Sequence, residues 1–122
     1  VAGIVGNTVA AMVALGADPA RIRAAIGPAI SAANYEIGPA LAAEIAARIA
    51  DAARHIRVPD GRAREHFDIP GLLAEQLFAA GVGLVGDLGL CTYAEPARFF
   101  SHRYATHQGR TTGRQISVIG RR

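Results

Sequence analysis

The chain has 122 residues, of which 51% are apolar, and its formal net charge is +3 at neutral pH. This size and composition predict one folded domain and exclude an intrinsically disordered chain. A single cysteine excludes an internal disulfide framework, and polar residues interrupt every apolar run before it could span a membrane. We therefore expect a cytoplasmic protein with no membrane partner.

The first predicted helix occupies the start of the chain. Apolar residues recur with helical spacing over Ile4–Leu15, and Gly16 is suited to the left-handed conformation that ends many helices. The chain opens at Val1 without a capping residue, so we expect missing residues upstream. Asp18–Pro19 predicts a capped helical turn, and Ile22–Ile26 reads as a short strand.

A small-residue loop and two further helices are predicted next. The loop Gly27–Gly38 has Tyr35 and Glu36 near its end, and a helix then begins at Pro39. Its apolar stripe is formed by Leu41, Ile45 and Ile49. The polar stretch Arg54–Glu65 is predicted to be a surface insertion with a turn in it. Another helix is expected to be capped by Asp68 and to end at Gly81, with its buried side formed by Leu72, Leu73, Leu77 and Ala80.

Two short apolar runs are predicted as strands. They are Val82–Val85 and Ile116–Ile119, and Cys91 is expected near a strand end. Helices thus alternate with short strands, a pattern that indicates an α/β or α+β layered domain. The spacing Gly81-Val-Gly-Leu-Val-Gly86 matches a dinucleotide fingerprint, but it follows a predicted helix instead of a strand. We therefore reject it as a cofactor loop.

The histidines and the cysteine are weak candidates for chemistry. His55 and His66 flank the polar insertion and are expected to face solvent. Cys91, His102 and His107 could be combined into a metal site, but their spacing lacks the usual tight pattern. Cys91 alone could be a nucleophile if a neighbour lowered its pKa, and the commoner alternative is a small buried hydrophobe.

The last quarter of the chain is rich in arginine. No acidic residue follows Glu95, and the arginines after it are Arg98, Arg103, Arg110, Arg114, Arg121 and Arg122. Such a segment can attract a phosphate or a nucleotide-like anion, although a solvated basic edge is the commoner case for any one arginine. Tyr35 could present its ring to a cleft or could be a core aromatic.

Seven short segments, in order along nearly the whole chain, resemble the polyphenol-oxidase or laccase-domain family, also called the YfiH family. The segments are Asn7–Met12, Ile26–Ser31, Asn34–Pro39, Phe67–Pro70, Cys91–Tyr93, Phe99–Arg103 and Gly113–Ser117. The chain departs from the family pattern at His102, commonly Tyr, and at Tyr104, commonly Arg. The resemblance identifies residues 1–122 as a single partial domain, the C-terminal half of such an enzyme.

The resemblance implies a fold, a reaction and a metal. The fold is a layered α/β/β/α sandwich with a mixed sheet, here incomplete at its N-terminal end. Family members are described as purine nucleoside phosphorylases with adenosine deaminase activity, which act on adenosine, inosine and phosphate. Their zinc, with copper as an alternative, is held by two histidines and a cysteine that the resemblance places upstream of Val1. Cys91, His102 and His107 are therefore not carried over as ligands, and the isolated chain is expected to be inactive.

Site residues follow from the same resemblance together with the arginine pattern. Arg103 and Arg114 are predicted to contact phosphate or ribose, and Tyr35 is predicted to line the purine pocket. No catalytic residue is assigned to the chain. An alternative is a non-catalytic module that binds nucleic acid or another anion through its arginine-rich end. A third interpretation is an interaction domain whose apolar first helix contacts the missing N-terminal half or a second copy.

Overall fold

Helices and short strands alternate along the chain, as the sequence predicts. The computed structural model describes residues 3–121. Its helices are α1 (Ile4–Ala14), α2 (Gly38–Arg48), α3 (Ile69–Ala79) and α4 (His102–His107), and its strands are β1 (Arg23–Ile26), β2 (Ile56–Arg57), β3 (His66–Phe67) and β4 (Leu84–Asp87). Short 3-10 turns occupy Pro19–Arg21, Ala32–Asn34 and Ala52–His55. The mixed α/β class is confirmed.

Local capping signals set the element boundaries. Helix α1 ends before Gly16, whose φ of 97° is a left-handed value that glycine adopts without strain. The Asp18 carboxylate accepts a hydrogen bond from the Ala20 amide at 3.0 Å and so caps the turn that follows. The Asp68 carboxylate likewise accepts from the Gly71 amide at 3.1 Å at the start of α3. Both predicted caps are confirmed.

The strands form two small pairs within residues 3–121. Strand β1 is parallel to β4, with Arg23 opposite Leu84, and β2 is antiparallel to β3. The predicted strand at Val82–Val85 is therefore present but begins two residues later, since β4 spans Leu84–Asp87. The polar insertion is a hairpin whose turn is closed by the Arg62 amide on the Pro59 carbonyl at 3.0 Å. The complete layered sandwich stays a prediction.

The strand predicted at Ile116–Ile119 is wrong. Residues 111–121 have no regular secondary structure, and Ile116, Val118 and Ile119 are 85%, 83% and 76% exposed. The segment passes close to the residue that follows β1. The Ser117 hydroxyl lies 2.8 Å from the position that a Cβ on Gly27 would take. A strand needs a partner for its backbone groups, and the described part of the chain pairs none with this segment.

A small apolar core lies where α2, α3 and the hairpin meet. Its buried centre is formed by Ala52, Phe67 and Leu72. The partly buried side chains packed around it are Tyr35, Ile37, Ile45, Ile49, Ile56 and Ile69. The Tyr35 and Phe67 ring centroids are 6.2 Å apart, at a tilt of 33°. One face of Tyr35 is thus anchored to the core, which fixes the ring at the edge of the site described next.

Candidate functional site

A short extended segment at Tyr35 and Glu36 forms the base of the candidate site. The Tyr35 carbonyl accepts a hydrogen bond from the Phe67 amide at 3.1 Å, and Glu36 forms an antiparallel bridge with His66. The Ile37 amide then donates to the Glu65 carbonyl at 2.8 Å. These backbone bonds tie the segment to β3 on both sides of Glu36. The two side chains therefore project from a fixed backbone.

Arg103 of helix α4 lies against this segment. Its Nη1 donates to the Glu36 carbonyl at 2.7 Å, and its guanidinium carbon lies 5.3 Å from the centroid of the Tyr35 ring. The Ser101 hydroxyl accepts from the Tyr104 amide at 3.2 Å and so caps the helix that carries Arg103. The structure thus brings two of the three predicted substrate-binding residues together. A guanidinium has five N–H donors, so this carbonyl bond leaves others for an anion or a hydroxyl.

Two further groups approach the Glu36 carboxylate. Arg64 Nη1 lies 3.5 Å from one carboxylate oxygen, and His66 Nε2 lies 4.0 Å from the other. The His66 ring is held by its Nδ1, which donates to the Ala32 carbonyl at 2.6 Å. We call Tyr35, Glu36, His66 and Arg103 the Tyr35–Arg103 site. In it the Arg103 guanidinium contacts the Tyr35 ring, and the Glu36 carboxylate faces Arg64 and His66.

The prediction that His55 and His66 face solvent is wrong. His66 is 2% exposed, because the hairpin folds it beneath Glu36 and onto the Ala32 carbonyl. The His55 side chain is 16% exposed and pairs with Glu75 of α3. The sequence places both histidines beside a polar stretch, and nothing local in it indicates these distant partners. Glu36 and His66 are therefore the site residues that the sequence analysis missed.

Arg114 lies in a different place, on an open cavity of about 580 Å³. The cavity is lined by Phe100, His102, Thr112, Gly113, Arg114 and Gln115. Two of its lining residues are joined by a hydrogen bond, in which the Phe100 amide donates to the Gln115 side-chain oxygen at 2.7 Å. His102 directly precedes Arg103 in α4, so helix α4 contributes to both this cavity and the Tyr35–Arg103 site. The three predicted residues thus occupy two neighbouring places instead of one.

Two arginines of the arginine-rich end contact other residues of the chain. Arg98 donates to Glu95 at 2.7 Å and lies over the Phe99 ring at 5.1 Å. Arg110 lies over the Tyr104 ring at 5.6 Å. Arg98 therefore has a counter-charge in Glu95, the acidic residue just before the arginine-rich segment. Arg114 remains exposed.

Comparisons with known proteins match the whole chain. The family model described as multi-copper polyphenol oxidoreductase laccase matches residues 1–122. The chain belongs to this laccase family. It is 38% identical to a purine nucleoside phosphorylase of Corynebacterium glutamicum over 96% of the chain and 44% of that protein. It is 40% identical to a purine nucleoside phosphorylase of Deinococcus radiodurans over 93% of the chain and 42% of that protein.

Solved structures confirm the laccase-family resemblance at the level of the fold. The Bacillus licheniformis hypothetical protein YfiH matches 84% of the chain with a TM-score of 0.69 and 28% identity, and the match covers 39% of that protein. A Neisseria meningitidis protein of the DUF152 family matches the same share with a TM-score of 0.58 and 28% identity, over 42% of that protein. The chain thus spans less than half the length of these relatives.

The described part of this laccase-family chain does not fit a metal ion. No group of three or more His, Cys, Asp or Glu side chains in residues 3–121 could hold one. The Cys91 sulfur accepts hydrogen bonds from the Ser31 amide and the Asn34 side chain, both at 3.4 Å. His107 Nδ1 is instead hydrogen-bonded to the Tyr93 hydroxyl at 2.8 Å. Cys91 and His107 thus each have a hydrogen-bond partner within the chain.

Cys91 is nevertheless unusual among thiols. Partial burial raises the pKa of its thiol, but hydrogen bonds from the Ser31 side chain and backbone, the Ala94 backbone and the Asn34 side chain lower it more. The net effect is a pKa lowered from 9.0 to about 7. Near neutral pH a large fraction of the sulfur is therefore thiolate. The description as a small buried hydrophobe is incomplete.

None of the helices described in residues 3–121 has the length and apolar character that crossing a membrane requires.

The rejected dinucleotide fingerprint also has a structural explanation. Gly81 follows the end of α3 with a φ of 84°, and the segment then enters β4. A fingerprint loop has the opposite order, from strand to helix, so its rejection is confirmed.

Proposed function

We propose that the chain is the C-terminal part of a longer enzyme that cleaves purine nucleosides with phosphate. The observation that carries the proposal is the Arg103 guanidinium, which lies over the Tyr35 ring and donates to the Glu36 carbonyl. The relatives named purine nucleoside phosphorylase support it, and so does the placement of Arg114 on a neighbouring cavity. The substrates we propose are inosine, adenosine and inorganic phosphate.

The proposed roles follow from the chemistry of phosphorolysis. Phosphate attacks the sugar carbon while negative charge develops on the departing purine, so the reaction needs an oriented anion and hydrogen-bond donors. Arg103 and Arg114 supply donors for phosphate or ribose oxygens, because a guanidinium binds such oxygens in a planar fork. Tyr35 supplies an aromatic wall for the purine base.

We also propose adenosine deamination as a second activity of the longer enzyme, with zinc or copper as its metal. The described residues of this chain do not form a metal cluster. We propose, from the family resemblance, that the ligands lie on sequence upstream of Val1, and no step of deamination is assigned to the residues described above. The isolated chain is expected to turn over neither adenosine nor inosine.

We propose the N-terminal half as the main protein partner and the cytoplasm as the location. Large apolar side chains are exposed directly after α1, in β4 and directly after β4, at Leu15 (90%), Leu84 (56%) and Leu88 (60%). Exposed apolar surface of this kind marks an interface. Size-exclusion chromatography of the chain with and without the upstream half tests this partner, and a homodimer of the chain alone would contradict it.

The decisive experiment compares the longer protein with variants at the two arginines. We expect phosphate-dependent release of hypoxanthine from inosine by the longer protein, and none by the 122-residue chain alone. Arg103→Met and Arg114→Met should each raise KM for phosphate or nucleoside by about 10-fold or more, since each removes hydrogen bonds to a charged group. Arg48→Met is the matched control, because its side chain is 76% exposed on α2. Purified longer protein without phosphorolysis would contradict the proposal.

The alternative function is binding of nucleic acid through the arginine-rich end. The exposure of residues 106–121 favours this reading over a buried role for that segment. It predicts oligonucleotide binding that weakens steeply as salt is raised. Fluorescence anisotropy with single-stranded and duplex oligonucleotides separates the two functions. Absence of salt-dependent binding, together with phosphorolysis by the longer protein, excludes the alternative.

A further inference from the structure

The cavity at Arg114 is separate from the place where Tyr35 and Arg103 meet. We call it the Arg114 cavity; its volume is about 580 Å³, and it is lined by Phe100, His102, Thr112, Gly113, Arg114 and Gln115. The two places are neighbours, because His102 lines the cavity and the next residue of α4 is Arg103. Consecutive Cα atoms are about 3.8 Å apart. A reaction between two substrates needs two adjoining binding places of this kind.

The two long polar side chains of the Arg114 cavity offer hydrogen-bond donors. Arg114 is exposed, and its guanidinium has N–H groups but no acceptor. The side-chain oxygen of Gln115 already accepts from the Phe100 amide at 2.7 Å, so the NH₂ group of that amide is the part left for a ligand. A ribose hydroxyl or a purine N–H needs an acceptor, whereas phosphate oxygens accept. The donors of the cavity therefore match a phosphate ion.

The charges around the Arg114 cavity also favour an anion. No aspartate or glutamate is among its lining residues. Arg114 takes part in none of the arginine–carboxylate ion pairs within residues 3–121, which involve Arg48, Arg54, Arg64 and Arg98. A second cavity, of about 160 Å³, has Asp68 and Asp87 in its lining, and these carboxylates would repel a phosphate ion. Of the two cavities, the one at Arg114 is therefore suited to phosphate.

Contacts with Phe100 fasten the backbone on both sides of Arg114. Before it in the chain, Gly113 lies so close to the Phe100 ring that a Cβ there would be 2.8 Å from the ring carbons. After it, the Gln115 side chain holds the Phe100 amide. The residues beside Arg114 are thus fixed, although the segment has no regular secondary structure. Fixing a segment in advance lowers the conformational entropy that binding costs.

We propose that the Arg114 cavity binds inorganic phosphate through Arg114 and Gln115, while the nucleoside binds at the Tyr35–Arg103 site. This inference rests on the proposed function and divides its two substrates between the two places. In the reaction, a phosphate oxygen forms a bond to C1′ of the ribose and the bond from C1′ to N9 breaks. The electron pair of that bond leaves with the purine, and the hydrogen of the hydrogen phosphate ion ends on the purine by way of solvent.

Steady-state kinetics of the longer protein test the division. Arg114→Met should raise KM for phosphate by about 10-fold or more and leave KM for inosine within about 3-fold, because a charged hydrogen bond to phosphate is lost. Arg103→Met should show the reverse, raising KM for inosine and sparing KM for phosphate. Variants that both raise the same KM overturn the inference.

Arg110→Met is the matched control for Arg114→Met. It removes the same charge from the same basic segment, but Arg110 lies over the Tyr104 ring at 5.6 Å and does not line the cavity. We expect both KM values of Arg110→Met to stay within about 3-fold of wild type. A basic edge that only attracts anions would raise KM for phosphate equally in the two variants, and that result overturns the inference.

Gln115→Glu separates phosphate binding from folding. The new side chain keeps an oxygen for the Phe100 amide, but it replaces the NH₂ group with a second carboxylate oxygen. KM for phosphate should rise by about 10-fold or more, since the added negative charge repels phosphate, while Tm and KM for inosine stay near the wild-type values. An unchanged KM for phosphate overturns the inference, because a carboxylate cannot lie beside bound phosphate without weakening it.

Calorimetric titration identifies the source of the phosphate group. The longer protein is titrated with inorganic phosphate and, separately, with inosine 5′-monophosphate at the same ionic strength. Binding of inorganic phosphate that is lost in Arg114→Met and kept in Arg110→Met supports the inference. Arg114-dependent binding of the nucleotide without binding of inorganic phosphate overturns it.

The outcomes distinguish this inference from the proposed function. A longer protein that cleaves no nucleoside, or cleaves it without phosphate, contradicts the proposed function and this inference with it. An active phosphorylase whose Arg114→Met variant keeps the wild-type KM for phosphate contradicts this inference alone. If Arg103→Met fails to fold, the comparison of Arg114→Met with Arg110→Met and the titrations decide the matter, since Arg110 and Arg114 are both exposed.

Discussion

Substitution of Arg103 measures how strongly helix α4 is fastened to the candidate site. Arg103→Ala removes a charged hydrogen bond of 2.7 Å to the Glu36 carbonyl and the packing of the guanidinium over Tyr35 at 5.3 Å. A charged hydrogen bond contributes about 1.5–3 kcal/mol, and an exposed cation–π contact contributes about 0.5–1 kcal/mol. The free energy of unfolding should therefore fall by about 2–4 kcal/mol.

The assay is urea unfolding of the chain followed by circular dichroism, since the sequence contains no tryptophan. Arg62→Ala is the control, because Arg62 is exposed in the hairpin turn and should change stability by less than about 0.5 kcal/mol. A double-mutant cycle with Tyr35→Leu should return a coupling of about 0.5–1 kcal/mol between ring and guanidinium. If Arg103→Ala matches the control, the Arg103 guanidinium does not fasten α4 to the Tyr35–Glu36 segment, and the reasoning is refuted.

Two further predictions concern close packing and the thiol. Gly83→Ala should destabilise the fold by about 3 kcal/mol, because its Cβ would lie 1.8 Å from the Ala20 carbonyl oxygen, whereas Gly86→Ala, with 3.9 Å to its nearest atom, should be nearly neutral in the same urea assay. Cys91 alkylation by iodoacetamide should reach half its maximal rate near pH 7, and Asn34→Ala should move that midpoint upward because a hydrogen bond to the thiolate is lost. Equal unfolding of the two glycine variants would contradict the first prediction, and an alkylation midpoint near the unshifted value of 9.0 would contradict the second.

Signals that act over a few residues made much of the fold predictable. The Gly16 end of α1 and the Asp18 and Asp68 caps each depend on atoms within three residues of the capping position. The α2 ion pair between Glu44 and Arg48 is equally local, at 3.1 Å and four residues apart. Residue type and spacing encode such features, and the amino-acid sequence alone is therefore enough to predict them.

The two wrong predictions concern features that depend on residues far apart in the sequence. The burial of His66 depends on the carbonyl of Ala32, which is 34 residues away. The apolar alternation of Ile116–Ile119 is typical of a strand, but a strand forms only where another strand accepts its backbone hydrogen bonds. Residue type and spacing specify neither partner. Both predictions therefore failed where a long-range contact decides the outcome.

The candidate site likewise depends on contacts between residues far apart in the sequence. Arg103 reaches the Glu36 carbonyl across 67 residues of sequence, and His66 faces the same residue from the hairpin. The resemblance pointed to Tyr35 and Arg103 individually, but it could not reveal that the Arg103 guanidinium lies over the Tyr35 ring and binds the Glu36 carbonyl. A guanidinium already bound to the backbone has lost mobility before any ligand arrives, so binding a phosphate or ribose oxygen costs less conformational entropy. The contacts that stabilise this corner of the fold are thus the same ones that would prepare it to bind a nucleoside.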